Sequence, residues 1–203
     1  YGGVTHPGRV RTANEDSFRI DPARGFVMVA DGVGGARGGA TASNMAVEIV
    51  SRQMAEALDR VVADRSLDEV RGREQLAAQL KQALAAASYA VHTRGQSDPG
   101  LRGMATTSVV VQLLGNWVLI GHVGDSRVYL VRGGVTYQLT EDHSLARDLL
   151  ARGAISAADA ENYVHNVIVR AVGMHPTVEV DLVTFELAPD DVLVLCSDGL
   201  SDV

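Results

Sequence analysis

The spacing of apolar and polar positions changes repeatedly along the chain, and each change predicts a different kind of element. Residues 17–20 and 25–30 are short apolar runs on either side of Asp21-Pro22, the pattern of two strands joined by a turn. A glycine-rich loop covers 32–39. From Ala40 to about Val62 the apolar residues recur at helical spacing, with Met45, Ile49, Val50 and Met54 on one face. A second helix is expected from about Ser66 to Arg94, opened by the capping box Ser66-Leu67-Asp68-Glu69 and stopped at Gly95. Its stripe of Leu76, Leu80, Leu84 and Ala87 reads as core.

The period then shortens. Residues 107–114, 117–123, 127–131 and 135–139 read as strands separated by Gly115-Asn116, Gly124-Asp125-Ser126 and Gly133-Gly134, which predicts an antiparallel meander. Thr140 is expected to cap a short helix over 144–152 closed by Gly153, and Ser156 with Asp159 to start another. Two last strands are expected at 178–187 and 191–196. Long helices lie together and strands pair locally, so the fold class is α+β.

A chain of 203 residues is most simply one domain, large enough to bury about 70% of the surface its unfolded form exposes. The 25 acidic against 18 basic residues leave a net charge of −7, which argues against nucleic-acid binding. The single cysteine, Cys196, excludes an internal disulfide or a Cys-rich zinc site and suits a reducing compartment. No apolar run is long enough for a bilayer span, and no signal peptide opens the chain. Lys81 is the only lysine, and it follows no glycine-rich loop or strand, so P-loop and protein-kinase chemistries are excluded.

One pattern points to chemistry. Three apolar strands run directly into an aspartate beside glycine, at Asp31-Gly32, Gly124-Asp125 and Asp198-Gly199, and Asp202 follows the third. Glu15 and Asp16 precede the first strand. A carboxylate at the end of a buried strand loses hydration and needs a compensating partner, which one shared cation can supply to several at once. Oxygen-only ligands select Mg²⁺ or Mn²⁺ over zinc, and the six histidines lack zinc-type pair spacing. Two such ions about 3.5–4 Å apart lower the pKa of a shared water and present hydroxide to phosphorus. A single Asp-Gly is ordinarily a turn; three at the ends of apolar strands favour ligands. Arg11, four residues before Glu15, is suited to clamp phosphate oxygens bidentately. The residue six after Cys196 is Asp202, not arginine, so a cysteine-phosphatase loop is absent, as are an Asp-x-Asp-x-Thr string and the dinucleotide fingerprint.

The ordered set Arg11…Asn14-Glu15-Asp16, Val29-Ala30-Asp31-Gly32-Val33-Gly34-Gly35, Gly103-Met104-Ala105-Thr106-Thr107, Val123-Gly124-Asp125-Ser126-Arg127, Thr140-Glu141-Asp142-His143-Ser144 and Ser197-Asp198-Gly199-Leu200-Ser201-Asp202 resembles the metal-dependent type 2C Ser/Thr protein phosphatases, in particular the bacterial branch that partners Ser/Thr kinases. The resemblance implies a four-layer α/β/β/α sandwich, two antiparallel sheets flanked by helices, with a metal cleft at one edge. It implies that Asp31 bridges two ions, that the Gly32 carbonyl binds one, and that Asp198 holds the second. Glu15 and Asp16 hold bound waters or orient ligands, and Arg11 grips the substrate phosphate. Asp125, Asp198 and Asp202 form a weaker third site. Residues 143–165 correspond to a flap beside the cleft, where His143 is a candidate substrate contact and proton donor. The family has a further strand carrying an Asp-Asn pair, so with Tyr1 in first place the chain is expected to continue on both flanks.

The expected activity is Mg²⁺/Mn²⁺-dependent hydrolysis of phosphoserine and phosphothreonine in proteins, in a cytoplasmic monomer opposing a Ser/Thr kinase. The alternatives are a catalytically impaired scaffold module of the same fold, or a phosphatase acting on anti-sigma antagonist proteins.

Overall fold

The structure, a computed structural model, describes residues 1–9, 11–34, 38–156 and 167–201. In chain order its strands are β1 (Ser17–Asp21), β2 (Phe26–Ala30), β3 (Gly32–Val33), β4 (Ala105–Thr106), β5 (Ser108–Leu114), β6 (Trp117–Val123), β7 (Arg127–Arg132), β8 (Val135–Gln138), β9 (Asp181–Glu186) and β10 (Val192–Cys196). Helix α1 (Gly38–Ala63) and helix α2 (Glu69–Ser97) separate β3 from β4, and the short α3 (Leu145–Ala151) follows β8.

The strands form a five-stranded sheet in the order β1-β2-β5-β6-β9, a three-stranded sheet in the order β10-β7-β8, and the small β3-β4 ladder. All of these pairings are antiparallel. The five-stranded sheet is the middle layer. Phe26, Met28, Ala30, Val110 and Leu119 on one face pack with Val50, Met54, Leu76, Leu80 and Leu84 of α1 and α2. Val109, Val111, Val118, Ile120 and the half-buried Val29 on the other face pack against Val128, Leu193 and Leu195 of the second sheet. Covered on both faces, β6 is buried at every residue, which is why its sequence is a continuous apolar run and not an alternation. The α+β architecture is the expected one. Among the described residues the helical layer is α1 and α2; on the far side, β8 is exposed along its whole length.

The expected meander divides. β5-β6 and β7-β8 are hairpins, but the Gly124-Asp125-Ser126 turn carries the chain from one sheet to the other. A turn dipeptide specifies a reversal, while the faces to be buried decide which sheet the next strand joins. Helix α2 is capped two residues later than expected, at Asp68 and not Ser66. The Asp68 carboxylate accepts from the Arg71 amide at 2.8 Å, whereas Ser66 turns back to Asp64. An ionised side chain is the better partner for the positive end of the helix. Nor does Gly95 stop α2: the helix runs to Ser97, and a Cβ at Gly95 would lie 3.2 Å from the Leu101 carbonyl oxygen, so this glycine serves packing. Ser144, not Thr140, caps α3, accepting from the Arg147 amide; the Thr140 hydroxyl accepts from the Val128 amide at 3.1 Å. Beyond Ser156, the helix expected to start there lies outside the described residues, as do 157–165 of the expected flap.

Candidate metal centre

Antiparallel register brings distant residues to one edge. Ser17 pairs with Ala30, so Glu15 and Asp16, just before β1, lie beside Asp31, just after β2. Ser108 pairs with Val123, which puts Thr107 next to the Gly124–Ser126 turn. Cys196 pairs with Arg127, so Ser197 and Asp198 leave β10 where β7 leaves that same turn. Six strand ends, of β1, β2, β5, β6, β7 and β10, thus gather their polar residues at a single border of the two sheets.

Asp31 is buried at 8% exposure, and its carboxyl group meets those of both Asp16 and Asp198. Burial first, then the charge of Asp16 and that of Asp198, push its pKa up to about 8 from an ordinary 3.8. Among the described residues no arginine forms an ion pair with any of the three. No three carboxylate, imidazole or thiol groups among those residues close into a ready-made cage; the aspartates meet pairwise at Asp31. Beside them the buried Glu15 Oε1 has no hydrogen-bond partner. Crowded anionic oxygens with one orphaned acceptor are the donor set that a hard divalent cation completes. A groove of about 790 Å³ leads from Asp16 and Ser197 along β10 beneath residues 1–6.

The surrounding hydroxyls fix this border. The Asp31 amide donates to Thr107 Oγ1 at 2.9 Å, and the Asp31 carbonyl accepts from the Thr107 amide and the Thr106 hydroxyl, both at 2.8 Å. Thr107 Oγ1 also meets Ser126 Oγ at 2.7 Å, which ties the half-buried Asp125 turn to the Asp31 strand. The Ser43 hydroxyl, on the buried face of α1, donates to the Glu15 carbonyl at 2.6 Å, and Ser197 donates to Asp16 Oδ2 at 3.1 Å. Arg127 grips Asp142 bidentately at 2.9 and 2.6 Å. Thr106, Thr107, Ser126, Arg127, Asp142 and Ser197 belong to the strings that carry the family resemblance but have no bracing role legible in sequence, and Ser43 belongs to none of those strings. Ser43 was detectable as a hydroxyl on the apolar stripe of a helix; the threonines sit in a strand-like run and carry no such signal.

Glycines 32 and 39 let two main chains meet behind Glu15. A Cβ on Gly39 would stand 2.6 Å from Glu15 Oε1 and 2.7 Å from the Gly32 carbonyl, and one on Gly32 would strike the Gly39 carbonyl oxygen at 2.2 Å. Gly39→Ala is therefore expected to cost about 1–3 kcal/mol through overpacking and to displace Glu15. Thermal unfolding together with Mn²⁺-supported turnover measures both; a variant with unaltered stability and activity contradicts the close packing.

Arg11 is exposed, its guanidinium 3.9 Å from Glu15 Oε2. Asp202 lies outside the described residues. His143, the candidate substrate contact, lies inside the fold and not at its surface. The ring is buried, Nδ1 accepts from the Gly124 amide at 3.0 Å and Nε2 lies 3.1 Å from Asp181 Oδ2, so both nitrogens are committed inside the fold. A histidine next to an acid in a loop-like stretch suggests solvent, but the pairing of β6 with β9 covers it.

Two sheets backed by a helical pair, with carboxylates collected at their common border, define the class as an α+β domain whose sheet edge is suited to hard divalent cations. Residues 6–203 match the sequence model of the Protein phosphatase 2C family. The chain is 37% identical to the Serine/threonine phosphatase stp of Listeria innocua, with 98% of the chain and 77% of the relative aligned. It is 36% identical to Protein phosphatase PhpP of Streptococcus pneumoniae, over 98% and 78% respectively. The structure is similar to the catalytic domain of the serine threonine protein phosphatase PstP solved with 2 manganese ions, at TM-score 0.74 and 34% identity, over 96% of this chain and 75% of that one. The chain belongs to the protein phosphatase 2C family.

Proposed function

We propose that this chain is a metal-dependent protein phosphatase domain that hydrolyses phosphoserine and phosphothreonine esters in proteins, with Mn²⁺ or Mg²⁺ as its cofactor. The observation that carries the reading is the meeting of Asp16, Asp31 and Asp198 with no compensating arginine among the described residues. Relatives named as Ser/Thr phosphatases, one of them solved with manganese, support it.

Asp31, Asp198, Glu15, Asp16 and the Gly32 carbonyl would hold two ions, and Asp125 with Asp198 and Asp202 a weaker third. When bound, the ions supply a nucleophile at neutral pH and offset negative charge on the phosphoryl oxygens. The chain's own residues do the positioning. Ser197 and Asn14 hold Asp16 through its carboxylate and its amide, while Thr106 and Thr107 fix the main chain of Asp31. The exposed Arg11 presents its guanidinium beside Glu15, where it can take a phosphate oxygen pair and orient the ester. With phosphoproteins as substrates, we place the enzyme opposite a Ser/Thr kinase, acting as a cytoplasmic monomer. No helix among the described residues is long and apolar enough to cross a membrane.

A phosphothreonine peptide tests the reading. Excess chelator is expected to abolish phosphate release and added Mn²⁺ to restore it. Release that persists undiminished under full chelation overturns the metal assignment.

A further inference from the structure

The turn that carries Asp125 is held from two sides. On the side of the acidic cluster, Ser126 Oγ meets Thr107 Oγ1, which in turn accepts from the Asp31 amide. On the opposite side, His143 takes hold of Gly124 twice. Its amide donates to the Gly124 carbonyl at 2.8 Å, and its Nδ1 accepts from the Gly124 amide at 3.0 Å. Gly124 has φ +110°, and a Cβ there would lie 2.7 Å from Thr107 Cβ, so its main chain is the only part of it available for anchoring.

This arrangement fixes the histidine tautomer. A ring nitrogen that accepts a hydrogen bond carries no proton, so the neutral imidazole holds its proton on Nε2. Nε2–H then donates to Asp181 Oδ2 at 3.1 Å, and Arg170 donates to Asp181 Oδ1 at 2.7 Å. The 3.0 Å approach of Arg170 to Nε2 is accordingly two donors converging on one carboxylate. Burial, first among the causes, lowers the His143 pKa and so favours the accepting form. The His143 carbonyl also accepts from the Val169 amide at 2.9 Å, so one residue joins the turn, β9 and the segment leading to Arg170.

We propose that His143 is a positioning residue that sets the stance of the Gly124-Asp125-Ser126 turn, and thereby of the Asp125 carboxylate, relative to Asp31. The proposal rests on the reading of Asp125 as part of the weaker metal site. It gives His143 neither substrate contact nor proton transfer.

Two replacements separate its nitrogens. In His143→Asn the amide oxygen can stand near the place of Nδ1 and accept from Gly124, while the reach to Asp181 is lost. In His143→Gln the longer amide reaches toward Asp181 and leaves the Gly124 amide without its acceptor. Mn²⁺ titration by calorimetry in the metal-stripped protein resolves tight and weak binding phases, independently of turnover. Groups that orient ligands contribute about 10- to 100-fold in metal affinity, so His143→Gln is expected to weaken the weak phase within that range and spare the tight one. His143→Asn should stay close to the unmodified protein. Asp181→Ala, at a half-exposed position, removes the partner that orients the ring and is expected near the low end of the same range; it carries the test should His143→Gln fail to fold. A purely structural histidine orders these variants by thermal stability alone. An unchanged weak phase in His143→Gln, or in Asp181→Ala if that variant stands in for it, overturns the proposal, as does an equal loss in the Asn and Gln variants. If the unmodified protein binds no Mn²⁺ at all, the metal reading falls first and the proposal with it.

Discussion

Asp31→Asn and Asp198→Asn each reduce hydrolysis of a phosphothreonine peptide by at least about a hundredfold, since loss of a mere hydrogen-bond partner of a metal ligand already costs about 10- to 100-fold. The expectation follows from the contact of these two side chains at a border with no arginine partner among the described residues. An amide keeps the shape and the hydrogen-bonding capacity of the carboxyl but removes the negative charge a divalent cation requires. The fold should survive, because the Asp31 main chain is held by Thr106 and Thr107 irrespective of its side chain. Circular dichroism and steady-state turnover on the same preparations separate the two quantities. Near-normal turnover in both variants would remove these residues from the centre.

The second large effect is on stability. In the metal-free protein the Asp31 pKa stands at about 8 in the folded state against 3.8 ordinarily. Between those values the folded chain binds more protons than the unfolded one, so stability is fully present below about pH 4 and is lost as pH rises toward 8. The slope for one such group reaches at most about 1.4 kcal/mol per pH unit, or roughly 3–5 °C in Tm for a domain of this size. Melting of the chelated protein across pH 4–8 is therefore expected to show Tm falling with pH through this group. Asp31→Asn should flatten that fall and melt higher than the unmodified protein at pH 8, although it is inactive. Mn²⁺ should raise the Tm of the unmodified protein most at high pH, where the carboxylates are free of protons. If the replacement leaves the slope as it was, Asp31 is not the group that is crowded.

The strands were legible because their signals are local. β1, β2, β5, β6, β7, β8 and β10 lie within a residue or two of where apolar runs and turn dipeptides put them. The misplaced features turn on competition between neighbours. Asp68 displaces Ser66 as the cap of α2, and Gly95 reads as a stop because a small residue required by the Leu101 carbonyl looks the same in sequence as one that ends a helix. The burial of His143 is hidden for a related reason: its neighbours in the chain are polar, while the groups that hold its ring, from Gly124, Arg170 and Asp181, come from other segments.

By itself the sequence determined the element types, the acidic character and the three aspartates that end apolar strands, because hydrophobic period, charge and turn chemistry act over a few residues. Tertiary structure alone decided that the Gly124–Ser126 turn crosses between sheets, that Asp16, Asp31 and Asp198 come into contact, and that hydroxyls of α1 and the β4–β5 junction brace them. Those outcomes depend on antiparallel register and on which faces must be buried together. Both are properties of pairs of segments far apart in the chain, and no local pattern contains them.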